Sequence, residues 1–96
     1  MMILVTYDVS TMTKAGQKRL RRVAKLCEDY GQRVQNSVFE CLVEPARFEQ
    51  LKFRLAQEID EDWDSLRYYR LGKNWKNRVE HVGAKQGYDP EGFLQI

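Results

Sequence analysis

A single aspartate, Asp8, stands at the end of the apolar segment 2–7, and a strongly basic segment follows it at residues 14–33. A carboxylate that leaves a buried strand beside clustered arginine and lysine side chains is a place where a divalent cation and a phosphodiester could meet. One carboxylate cannot hold such a cation alone. The pattern therefore also predicts a second copy of the chain, whose own Asp8 completes the site.

Basic side chains supply the other half of this chemistry. Lys18, Arg19, Arg22 and Arg33 are the candidates for binding a nucleic-acid backbone, and the arginines also suit the charge that develops on phosphorus. A bound metal would polarise a phosphoryl oxygen and lower the pKa of a water molecule without a histidine base. Residues 10–13 contain no second acid, so we expect weak metal affinity. A strand-exit turn or a helix cap is the commoner role of an aspartate in this position.

Length and composition set the limits of the protein. With 96 residues, of which 43% are hydrophobic and 31% charged, the chain predicts one folded domain with a modest core. Its apolar runs are far shorter than the roughly 20 residues that span a bilayer, and no signal-peptide pattern opens it, so we expect a cytoplasmic protein without membrane contact. Cys27 and Cys41 fall among apolar residues, which indicates buried free thiols.

Charge is distributed in blocks along the chain. Residues 14–33 carry seven basic and two acidic side chains, a net charge of +5. Residues 40–64 carry three basic and eight acidic ones, a net charge of −5, and residues 65–88 return to +5 with six basic and one acidic. Such blocks can give one face a positive potential that suits a polyanion, although ordinary solvated helix faces produce the same pattern.

Hydrophobic periodicity predicts six elements. We expect strands at 2–7, 33–43, 65–71 and 78–82, and amphipathic helices at 14–30 and from Pro45 to Ile59, with the acidic run 60–64 as an exposed loop. We interpret the order as βαββαβ. This indicates an α+β, ferredoxin-like fold, an antiparallel sheet with two helices on one face, over residues 1–82.

The second predicted strand also indicates a partner. A strand as apolar as 37–43 would leave a sizeable hydrophobic surface in a monomer, which predicts a two-fold homodimer with the sheets packed at the interface. The tail 83–96 carries Phe93, Leu94 and Ile96 after a turn, and we expect a short extra strand at that interface.

Several segments together resemble the CRISPR-associated Cas-two family: Tyr7-Asp8-Val9, Lys18 to Val23, Tyr30 to Gln35, Ser37 to Glu40 and Tyr69 to Gly72. Val79 to Gly83 is similar to members from subtype I-C loci. The resemblance implies a homodimer that joins the Cas-one integrase in spacer acquisition, and a metal-dependent endonuclease on single-stranded RNA or double-stranded DNA. It also implies that Asp8 binds Mg²⁺, or Mn²⁺, and that Arg33 and Phe39 are linked to activity.

Two functions remain open at this point. One is a magnesium-dependent endonuclease with catalytic Asp8, Arg33 and Phe39; the other is a non-catalytic adaptor that binds protospacer duplex DNA and bridges Cas-one integrase dimers. Aromatic residues could stack on bases, but Phe39, Tyr68 and Tyr69 are expected in the core and only Trp75 in a loop.

Overall fold

A computed structural model of the chain describes residues 1–74. It contains β1 (Met2–Asp8), α1 (Lys14–Glu28), β2 (Gln32–Gln35), β3 (Val38–Leu42), α2 (Pro45–Glu58) and β4 (Ser65–Arg70). The strands form one antiparallel sheet in the order β2-β3-β1-β4. The predicted βαββαβ order and ferredoxin-like class are confirmed.

The six predicted segments, read along the chain, run β-α-β-α-β-β, so their bounds did not give the βαββαβ order that the structure shows. The segment 33–43, predicted as one strand, folds as the hairpin β2–β3 with a turn at Asn36 and Ser37. Polar turn formers at that point reverse the chain, and the pairing shifts by one residue between Arg33 and Gln35. The predicted strand 78–82 and the tail 83–96 lie outside the described residues.

The start of α1 is fixed by a short set of contacts. Thr13 is the N-cap residue, and its side-chain hydroxyl accepts a hydrogen bond from the Gly16 N–H at 3.0 Å. A side chain at Gly16 would collide with the backbone carbonyl of Ser10, so only glycine lets the helix approach the segment that follows β1 so closely. The N-terminus of α1 is therefore packed directly on the exit of β1.

The core lies between the sheet and both helices. Alternate β1 residues Ile3, Val5 and Tyr7 point to it, and the two helices contribute mainly Val23, Leu26, Cys27, Phe48, Leu51 and Leu55. Since side chains alternate along a strand, Leu4, Thr6 and Asp8 leave β1 on the opposite face. Asp8 thus projects from the face of the sheet that the helices do not cover.

Neither helix of residues 1–74 is long and apolar enough to cross a membrane.

Candidate nucleic-acid and metal site

Asp8 is the last residue of β1, and it pairs with Ser65, the first residue of β4. It is exposed, and it lines a shallow depression of about 260 Å³ together with Thr6, Tyr7, Ser65 and Arg67. Thr6 and Arg67 are direct cross-strand partners, so both side chains share the face of Asp8. The depression therefore combines one carboxylate, two aliphatic hydroxyls and one guanidinium.

This donor set fits a metal only in part. Within residues 1–74 no three His, Cys, Asp or Glu side chains are grouped so that they could hold an ion. Magnesium accepts one or two carboxylates, completed by water and phosphate oxygens. The guanidinium of Arg67 repels a cation but binds phosphate. One chain thus provides a single carboxylate at this depression, and only a second chain could add another Asp8 to it.

Asp64 is a polar residue that sequence analysis placed in an exposed acidic loop, and that expectation was wrong. Its side chain is 0% exposed. Its oxygens accept hydrogen bonds from Arg19 Nε at 2.8 Å and Arg19 Nη2 at 3.3 Å, from the Ser10 N–H at 3.0 Å and from the Asp60 N–H at 2.9 Å. Asp64 therefore ties α1 and the exit of β1 to the loop between α2 and β4.

These hydrogen bonds determine the charge state of Asp64. Burial alone would raise the pKa of this carboxyl, but the hydrogen bonds from Arg19 and from the Asp60 and Ser10 backbones outweigh burial and hold the pKa below its ordinary value. A buried carboxylate needs such partners, because an unpaired charge there would be very costly. The sequence shows only a run of acids in residues 60–64, and this run does not distinguish Asp64 from its neighbours.

The basic residues of α1 separate into two groups. Arg19 is half-buried against Asp64, whereas Lys18 and Arg22 are exposed and belong to an exposed basic stripe with Lys14, Arg21 and Lys25. The stripe is available to a polyanion, while the guanidinium of Arg19 is already engaged inside the chain.

Arg33 and Phe39 form a second group, on the helix side of the sheet. They are cross-strand partners, and the Arg33 guanidinium carbon lies 5.2 Å from the centre of the Phe39 ring. Arg33 also lies 3.7 Å from a carboxylate oxygen of Glu28, and Phe39 is 0% exposed. Because Phe39 pairs with Val5, this group and Asp8 lie on opposite faces, and one chain does not bring them together.

Comparison with known proteins agrees with this architecture. The family described as CRISPR associated protein Cas2 matches residues 1–79. This chain belongs to the Cas2 family. A "CRISPR-associated endoribonuclease Cas2" of Nitratidesulfovibrio vulgaris is 62% identical over 98% of this chain and 92% of its own length. A "CRISPR-associated endonuclease Cas2" of Halalkalibacterium halodurans is 58% identical over 98% of both chains.

Solved Cas2 structures have the same fold. The crystal structure of Streptococcus pyogenes Cas2 at pH 6.5 aligns with a TM-score of 0.77 and 70% sequence identity, and it covers 86% of this chain and 100% of that one. The βαββαβ architecture of this Cas2-family chain is thus shared with a relative of known structure.

The aromatic candidates of this Cas2-family chain differ in position. Tyr68 packs on the core in an edge-to-face contact with Phe48, at 5.5 Å between ring centres, and Phe39 is in the core as expected. Tyr69 was expected in the core, but it is 44% exposed. Alternation places it opposite Leu4 on the face away from the helices. Trp75 lies outside the described residues.

The two cysteines are buried free thiols, as predicted. Burial, reinforced by the neighbouring Cys41, raises the pKa of Cys27 to about 12. Burial, reinforced by Glu40, raises the pKa of Cys41 to about 12 as well. Neither thiol forms a nucleophilic thiolate at neutral pH.

Proposed function

We propose that this Cas2-family chain is a magnesium-dependent endonuclease of CRISPR adaptation that hydrolyses phosphodiester bonds in single-stranded RNA or double-stranded DNA. The observation that carries the proposal is the position of Asp8, an exposed carboxylate at a strand exit that shares its depression with the guanidinium of Arg67. The names of the relatives, which describe them as endoribonuclease or endonuclease, support the same reaction class.

The proposed active form is a homodimer. Leu42 and Tyr69 are 43% and 44% exposed, and their cross-strand partners Met2 and Leu4 place both on the face that carries Asp8. A second copy that packs on this face about a two-fold axis covers these side chains and brings a second Asp8 toward the first. The dimer therefore supplies the second carboxylate that one chain lacks.

Each residue then has a defined task. The two Asp8 carboxylates hold the ion, and Arg67 draws the substrate phosphate into the depression. Bound Mg²⁺ supplies Lewis acidity toward the phosphoryl oxygen and a water molecule of lowered pKa. Phe39 is buried, so its contribution is to support the position of Arg33 and not to contact the substrate.

A second function, the adaptor, is favoured by a separate observation. The exposed basic stripe of α1 needs no metal to bind the phosphates of a protospacer duplex. We propose it as the alternative activity, in which the dimer holds Cas-one integrase dimers at a fixed distance. Both activities can belong to one molecule, since they use different surfaces.

Cleavage assays with a matched variant separate the two functions. Labelled single-stranded RNA and duplex DNA are incubated with wild type, with Asp8→Asn and with Asp62→Asn, each in Mg²⁺ and in EDTA. Asp62 is exposed, so Asp62→Asn makes the same chemical change away from the depression. The nuclease predicts Mg²⁺-dependent cleavage that only Asp8→Asn loses. Equal cleavage in all three proteins indicates a contaminant and leaves the adaptor.

A further inference from the structure

We propose that Asp64 is a positioning residue for the metal-binding aspartate: its buried carboxylate fixes the backbone that carries Asp8. The catalytic consequence rests on the proposed nuclease function, whereas the structural consequence does not. Asp64 touches no substrate, because its side chain is 0% exposed.

The first restraint on the exit of β1 is the contact of Asp64 with Ser10. Asp64 Oδ1 accepts the Ser10 N–H at 3.0 Å, two residues beyond Asp8. The next residue, Ser65, is the cross-strand partner of Asp8. Ser65 therefore holds β1 at Asp8 through strand pairing, and the buried Asp64 carboxylate holds the chain at Ser10.

The second restraint is the contact of α1 with the other side of Ser10. The helix α1 approaches Ser10 so closely that a side chain at Gly16 would strike the Ser10 carbonyl. The same helix delivers Arg19 to Asp64. The Ser10 N–H is thus bound by Asp64, and the Ser10 carbonyl is packed against α1. Because Ser10 is held from both sides, the backbone at Asp8, two residues earlier, has little freedom to move.

A shared two-fold site makes this restraint important. Two Asp8 carboxylates must be presented at the same position in both subunits, and a displacement in one is repeated in the other by symmetry. Loss of a residue that orients a metal ligand commonly costs about 10- to 100-fold in metal affinity or activity. We expect that range for Asp64, although it binds neither metal nor substrate.

The test compares Asp64→Asn with Leu51→Ala, which truncates a fully buried core residue of α2 and so weakens the fold. Three quantities are measured in the dimer: exchange of the Ser10 amide proton relative to that of Val5, Mn²⁺ affinity from paramagnetic broadening at Asp8, and kcat and KM for cleavage. We expect Asp64→Asn to accelerate Ser10 exchange and to lower Mn²⁺ affinity and kcat by about tenfold, with KM for nucleic acid nearly unchanged. Leu51→Ala should change none of the three.

A second variant and a measurement on wild type test the proposal even if Asp64→Asn does not fold. Gly16→Ala pushes Ser10 from the other side with Asp64 intact, and it should reproduce the loss of Mn²⁺ affinity if Asp64→Asn does not fold. In wild type, the Ser10 amide should be protected from exchange; an unprotected Ser10 amide overturns the proposal without any variant. Equal Mn²⁺ affinity and equal Ser10 exchange in Asp64→Asn and Leu51→Ala also overturn it.

The outcome for Asp64 can be distinguished from the outcome for the nuclease function. If wild type shows no Asp8-dependent cleavage, the nuclease function fails, while Ser10 exchange and Mn²⁺ binding still decide the role of Asp64.

Discussion

Arg19 and Asp64 are joined at two points, with Arg19 Nε 2.8 Å from Oδ2 and Arg19 Nη2 3.3 Å from Oδ1. The arginine comes from a basic segment, residues 14–33, and the aspartate from the acidic segment, residues 40–64. Their pairing engages the Arg19 guanidinium within the chain and makes an acidic residue of the loop part of the fold. Arg19 and Asp64 are thus charged residues with a structural role.

Arg19→Ala should destabilise the fold strongly. The substitution leaves the buried Asp64 carboxylate without its counter-ion, which lowers the free energy of unfolding. Arg22→Ala, on an exposed position of the same helix, should stay within about 0.5 kcal/mol of wild type. Urea unfolding followed by circular dichroism measures both, and similar losses in the two variants would contradict the assigned role of Arg19.

Asp64 should also contribute to acid sensitivity. Because its folded pKa lies below the ordinary value of 3.8, the carboxylate stabilises the fold above pH 3.8 and loses this contribution as pH falls through the lower folded pKa. Asp64→Asn removes the titration. The stability difference between wild type and Asp64→Asn should be full above about pH 5 and shrink toward more acidic pH. A difference that does not change with pH, measured by urea unfolding, would refute this assignment.

The positions of these residues show how far sequence reasoning reaches. The periodicity of α1 and α2 and the Pro45 start were sufficient to predict both helices, and the apolar segment before Asp8 predicted β1. The hairpin was missed because hydrophobic content was counted across Asn36 and Ser37, whose turn chemistry determines the break. The local turn preference of Asn36 and Ser37 prevailed there over the hydrophobic pattern of the segment.

Site residues were predictable only where exposure follows from the strand pattern. Asp8 at a strand exit was expected and lies at the surface. The partnership of Asp64 with Arg19 joins residues 45 positions apart, and no local pattern encodes it. Arg33 and Asp8 lie on opposite faces of the sheet. This follows from the pairing register of β1, β2 and β3, which the sequence does not give.

The basic stripe of α1 predicts a defined salt dependence of DNA binding. Lys18 and Arg22 are each expected to neutralise one phosphate. The double variant Lys18→Gln/Arg22→Gln should therefore bind duplex DNA more weakly, and the slope of log association constant against log salt concentration should become shallower by about 1.8. Lys52→Gln is the control, because Lys52 is on α2 and pairs with Glu49 of its own helix at 3.2 Å. Fluorescence anisotropy over a salt series gives both slopes. An unchanged slope in the double variant would place the DNA elsewhere.

The cysteines should be unreactive in the folded protein. With pKa values of about 12 and full burial, Cys27 and Cys41 should react with an aromatic disulfide reagent at pH 8 only as fast as the fold opens. Both thiols should react at once in denaturing urea. Rapid modification of native protein would show that one of the thiols is accessible, contrary to the packing described above.

The central claim is that two subunits share one site through Asp8. Wild type and Asp8→Asn, carrying different tags, are co-expressed at graded ratios so that their subunits mix, and Mg²⁺-dependent cleavage is measured against the wild-type fraction. A site that needs both carboxylates works only in wild-type dimers, so a mixture at a wild-type fraction of about one half should retain about one quarter of the activity. Retention of about one half would mean that each subunit cleaves independently with its own Asp8, and would contradict the shared site.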